Sequence, residues 1–152
     1  MSPIEDKIYE IYDPSAGSGS LVLHLANELG EGKFGNKARV YTQDISQKSS
    51  RFLRINMLLN GLKESLDNII EGDTLLTPTH YKKAGDATTG LKQFDFITSN
   101  PPFKTDFSST RDNIELMWQN TERFLLVFLK FPKLKKIQWL FIFYLFNIFF
   151  IH

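Results

Sequence analysis

KIYEIYDPSAGSGSLVLHLANELG, residues 7–30, decides the fold. Ile8, Ile11 and Tyr12 form a β-like apolar run that stops at Pro14. Leu21, Leu25 and Leu29 then recur at i, i+4 and i+8, the spacing of one helix face. Gly30 and Gly32 end that helix. Between strand and helix lies DPSAGSGS (13–20), where Gly17 and Gly19 let the backbone turn sharply and approach a ligand closely. The free amides at the start of the helix face the same place.

The pattern repeats along the chain. ARVYTQD (38–44), NIIEGD (68–73) and FDFITS (94–99) read as further short strands, and SQKSSRFLRINMLLNG (46–61) reads as a helix. In that helix Phe52, Ile55 and Leu59 share a face, and Asn60-Gly61 supplies a C-terminal stop. Residues 74–93, rich in Gly, Thr and Lys, read as a loop or poorly regular crossover. Strands separated by helices predict βαβ units and a parallel sheet, an α/β fold. Such sheets bind ligands beyond the carboxyl ends of their strands. Asp13, Asp44, Asp73 and Asn100 occupy those ends, 31, 29 and 27 residues apart.

The totals set limits. A chain of 152 residues suffices for one core, and its formal charge of +1 gives no whole-chain electrostatic case for nucleic acid or membrane. It has no cysteine, which excludes disulfides and thiolate metal sites and suits a reducing, cytoplasmic setting. MSPIEDKIYE lacks the basic and apolar regions of a signal peptide. His24, His80 and His152 do not cluster, and no metal site is expected. RFLRIN with Lys48 reads as a solvated basic face, and KLKK (133–136) is too short for a nucleic-acid patch.

Each strand-end motif admits a plain and a chemical reading. An acid beside a glycine turn suits a cationic ligand, whereas the pattern lacks the lysine of a phosphate loop and has Val22 where a dinucleotide fingerprint needs Gly or Ala. Asp13 can equally be an ordinary turn residue. Asp44 can bind ribose hydroxyls or cap the following helix. Asp73 can take an adenine amino group or simply form a turn. NPPF (100–103) is the sharpest signal. Two prolines make the turn stiff and free of backbone donors. The Asn100 side-chain oxygen and the Pro101 carbonyl can both accept from one amine, and Phe103 can stack on its ring. The plain reading is a rigid strand end with Phe103 in the core.

Together these stretches resemble a family. DPSAGSGS is similar to motif I of S-adenosylmethionine-dependent methyltransferases, and NPPF to motif IV of the adenine-N6 DNA group. IYDPSAGSGSL, RINMLLNGL and FDFITSNPPF, in that order, resemble the modification subunit of type I restriction-modification systems over about residues 8–123. The resemblance implies a Rossmann-like methyltransferase sheet with flanking helices, with S-adenosylmethionine as cofactor. It assigns Asp13, Ser15, Gly17, Gly19, Asp44 and Asp73 to the cofactor, and Asn100, Pro101, Pro102 and Phe103 to the target adenine. It implies DNA as substrate, with specificity and restriction subunits as partners.

The departures are equally specific. Family members are longer, carry a cofactor motif of roughly FYTP before motif I, and continue through further strands. Residues 1–123 are therefore expected to be a partial methyltransferase domain, incomplete and inactive alone. Residues 124–152 form an atypical tail: they hold 8 of the 14 phenylalanines and none of the 17 acids. Translation in a shifted frame explains that composition first, an ordinary buried element second and a membrane anchor last. The apolar run 137–151 is 15 residues long, against the ~20 needed to span a bilayer. The rival functions are a non-enzymatic remnant or weak cofactor binder, a protein-glutamine methyltransferase, and a small membrane-associated protein.

Overall fold

The computed structural model describes residues 7–30, 38–74 and 76–100, all within one compact unit that ends at Asn100. The expected division at residues 123 and 124 lies outside the described residues.

The four expected strands form one parallel sheet. They are β1 (Tyr9–Asp13), β2 (Ala38–Asp44), β3 (Ile69–Glu71) and β6 (Phe96–Ile97), in the order β3-β2-β1-β6. Ile11 stands beside Val40, Asp44 beside Glu71, and Tyr12 beside Ile97. The chain steps outward from β1 to β3, then returns to the other side of β1. The order therefore reverses at β1, the kind of switch point where open α/β sheets leave a crevice for ligands.

One sheet face is covered by α1 (Ser20–Gly30) and α2 (Gln47–Leu59). Its core comprises Ile11, Val22, Ala26, Val40, Leu53, Met57, Leu62 and Ile69, with Ala16 and Ala38. The helix phases differ from those predicted. In α1 the buried centre is Val22 and Ala26; Leu25 and Leu29 flank it, and Leu21 is exposed. In α2 the buried face is Ser50, Leu53 and Met57, while Phe52, Ile55 and Leu59 are more than half exposed. Apolar residues occur all round α2, so periodicity alone left the phase open. The contact with Gly19 resolves it: a Cβ there would run into Leu53 Cδ1, so the missing side chain makes the socket for Leu53. Asn60 caps the C-terminus as expected, and Gly61 follows at φ +71°.

The opposite face is covered by residues 77–94. Tyr12 and Tyr41 meet His80 and Phe94 in one aromatic cluster, with Tyr12 stacked on Phe94 at 4.7 Å between centroids. His80 Nε2 lies 3.0 Å from the Thr42 carbonyl, which can only accept, so that nitrogen carries the proton. Burial also pushes the His80 pKa down, favouring the neutral ring. The buried Gln43 amide donates to Thr77 O and accepts from the amide and hydroxyl of Thr79. The segment read as a loop contains an antiparallel hairpin, β4 (Tyr81–Lys83) and β5 (Asp86–Leu91). Its glycines and lysines hid it, since they suit Gly85 at φ +75° and the exposed Lys82 and Lys83 rather than a buried strand.

Candidate functional site

Beyond β1 the chain makes a tight turn in which Gly19 N donates to Ala16 O at 2.8 Å. Gly17 and Gly19 hold φ of +54° and +86°, a region that side chains disfavour. Asp13 is buried at the strand end, and its Oδ1 accepts from Ser15 N at 2.9 Å and faces Ser15 Oγ at 3.4 Å. Burial pushes its pKa up to about 7; the Ser15 hydrogen bonds offset part of this, and the Asp44 charge adds to it. Among the described residues no cation lies within ion-pair distance of Asp13 or Asp44.

Asp44, at the end of β2, reaches back to this turn. Its Oδ2 accepts from Gly17 N at 2.8 Å, and its Oδ1 accepts from Ser46 N at 2.8 Å. The cap of α2 is Ser46, whose hydroxyl accepts from Ser49 N at 3.2 Å. Asp44 is thus not the helix cap but a bridge between two strand-end loops.

The loop after β3 is tied in from the third strand. Gly72 N donates to Asp44 O, and the buried Thr74 hydroxyl donates to Pro14 O at 2.7 Å. Asp73 closes its own turn, accepting from Leu76 N at its side chain and from Thr77 N at its carbonyl. On the other side of β1 the ladder extends past β6 through Thr98 N to Tyr12 O. The next residue, Ser99, places its hydroxyl 2.9 Å from Ser15 Oγ, and Asn100 follows, exposed. Pro101, Pro102 and Phe103 lie outside the described residues.

The structure thus joins Asp13 to Ser15 and Gly17 to Asp44 by direct hydrogen bonds. Asp73 connects to them through its neighbours Gly72 and Thr74, and Asn100 through Ser99. Sequence reading missed Ser46, Thr74 and Ser99, which are small hydroxyl residues with no pattern of their own. It also missed why RINMLLNGL has the form it has. Arg54 lies on an exposed face, as expected, and from there also donates to the carbonyls of Leu66 and Ile69, tying α2 to the chain that follows it. Asn56 donates to Ser18 O at 3.0 Å, fastening the glycine turn to α2.

Residues 2–149 match the family described as N-6 DNA Methylase. The type I restriction enzyme MpnII methylase subunit of Mycoplasma pneumoniae is 30% identical over 107 residues, covering 70% of this chain and 19% of that protein. The type I restriction-modification system methyltransferase subunit from Streptococcus thermophilus superposes with a TM-score of 0.66 at 22% identity, over 94% of this chain and 27% of that one. The chain therefore spans about a fifth of the curated relative's length. The parallel sheet, the glycine turn after β1 and a match over nearly every residue agree: this chain belongs to the N-6 DNA methylase family.

Proposed function

We propose that the chain binds S-adenosylmethionine at the ends of β1, β2 and β3 and presents Asn100 to an adenine of DNA for methylation at N6. The observation that carries this reading is the Asp44 carboxylate holding Gly17 N–H across the strand ends. It fixes the glycine turn beside two acids that no described cation neutralises. Such a set fits a ligand with sulfonium and ammonium charges. The space where a Gly17 Cβ would stand is open, which also suits a ligand lying against the turn.

The cofactor supplies an electrophilic methyl group on sulfur. The protein's part is to bind and orient. Asp13 and Ser15, with the turn at Gly17 and Gly19, hold the cationic end. Asp44 uses two of its roughly four acceptor positions on backbone amides, leaving the rest for ribose hydroxyls. Asp73 serves the cofactor's adenine. The Asn100 side-chain oxygen and, from the sequence, the Pro101 carbonyl accept from the target amine. Holding its hydrogens in this way localises a lone pair otherwise delocalised into the ring. Pro102 keeps the turn stiff, and Phe103 offers a stacking surface for a base that has left the helix. Most of the rate gain then comes from alignment.

Specificity and restriction subunits are the proposed partners, and the cytoplasm, where DNA and cofactor meet, the proposed setting. The test is transfer of labelled methyl from S-adenosylmethionine to duplex DNA, single-stranded DNA and a glutamine-containing peptide in long incubations. Label recovered as N6-methyladenine and lost in Asn100→Ala supports the reading. Label on a glutamine amide would replace it with the protein-directed activity.

A further inference from the structure

Asn100 follows a very short strand. β6 has two residues, and its last backbone tie to β1 is Thr98 N to Tyr12 O at 2.9 Å. Among the described residues the only hydrogen bond between that tie and Asn100 is the contact of Ser99 Oγ with Ser15 Oγ at 2.9 Å. Ser15 belongs to the turn after β1, and its amide and hydroxyl both face Asp13 Oδ1. The contact crosses the point where the strand order reverses. It joins the loop assigned to the cofactor with the segment that delivers the target-base amide.

The protonation of Asp13 sets which hydrogen-bond directions are open to the two hydroxyls. An ionised Asp13 can only accept, so the Ser15 hydroxyl turns its proton toward Asp13 Oδ1. In that arrangement Ser15 Oγ offers a lone pair and Ser99 donates to it; with Asp13 protonated, either hydroxyl can be the donor. Each hydroxyl has one proton, so a ligand that rearranges the hydrogen bonds at Asp13 or Ser15 changes what Ser99 can donate to. Only Ser99 separates Thr98 from Asn100, and among the described residues Asn100 has no other hydrogen-bonded anchor.

We infer that Ser99 is a positioning residue that transmits occupancy of the cofactor loop to Asn100 through Ser15. It touches neither cofactor nor adenine in this scheme. The inference rests on the proposed cofactor-binding reading and adds to it a coupling between the two halves of the site.

The experiment is a titration of the full, isotope-labelled chain with S-adenosylmethionine, following the Asn100 side-chain amide by nuclear magnetic resonance and cofactor affinity by calorimetry. In the wild type the Asn100 amide shifts as the cofactor binds. In Ser99→Ala that shift falls at least five-fold while cofactor affinity stays within about three-fold. Ser99→Thr, which keeps the hydroxyl, restores the shift. Ser99→Cys, of similar size but a weak donor, behaves like Ser99→Ala and serves in its place if the alanine variant does not fold. An Asn100 response that persists in both variants overturns the coupling and leaves the cofactor site standing. A folded wild type that binds no cofactor overturns both.

Discussion

Asp13, placed in the cofactor site by the proposal, lies buried at the end of β1 in surroundings that oppose its charge. Its carboxyl is buried with only Ser15 donors among the described residues, and its pKa is pushed up to about 7. The unfolded chain releases this proton near the ordinary value of 3.8. Between about pH 4 and 7 the native state thus holds more protons than the unfolded state, and stability falls as pH rises. Asn in this place keeps an acceptor for Ser15 N–H but never ionises. Asp13→Asn is therefore expected to melt several degrees above wild type at pH 8, with the two converging near pH 4; about 1 kcal/mol corresponds to roughly 4–8 °C in a domain of this size. Melting curves at the two pH values check this, and a variant less stable than wild type at pH 8 would contradict it. Binding should show the opposite balance. A cationic ligand needs the ionised carboxyl, so affinity for S-adenosylmethionine should be about tenfold weaker at pH 6 than at pH 8. A flat affinity profile for the wild type would remove Asp13 from the cofactor site.

At the scale of the element, α2 marks the limit of what periodicity carries. The helix itself and its stop at Asn60-Gly61 were legible, because cap and glycine signals are local. Its buried face was not, because Phe52, Ile55 and Leu59 make as good a stripe in sequence as Leu53 and Met57. The deciding contact is tertiary, Leu53 against Gly19, 34 positions away in the chain. Leu53→Ala should cost about 2–5 kcal/mol, the range for a buried leucine. Phe52→Ala, on the exposed face, should stay within about 0.5 kcal/mol. Urea unfolding of the two variants measures this, and reversed magnitudes would restore the predicted face. Gly19→Ala should destabilise for two reasons: its φ of +86° and the collision with Leu53. Combining Gly19→Ala with Leu53→Ala should cost less than the sum of the singles, since the second change removes the atom that the first strikes.

At the scale of the whole molecule, the order of motifs was more legible than their connections. Four short strands, each ending on or followed by an acid or amide, were enough to predict a parallel sheet with Asp13, Asp44, Asp73 and Asn100 at or beyond the carboxyl ends of its strands. The sequence could not reveal that Asp44 grips Gly17, that Thr74 grips Pro14, or that Ser99 reaches Ser15, because each bond joins residues far apart in the chain through groups common on any surface. The hairpin of β4 and β5 was hidden for a related reason: it covers the sheet mainly through residues beside it, His80 and Phe94. Every functional step proposed above requires that the strand-end acids and the glycine turn form a site for S-adenosylmethionine. The direct measurement is calorimetric titration of the folded chain with S-adenosylmethionine at pH 8, in parallel with Asp44→Ala. One molecule is expected to bind per chain, with at least tenfold weaker binding by the variant. A folded wild type that binds no cofactor, or a variant that binds as tightly as wild type, would contradict it.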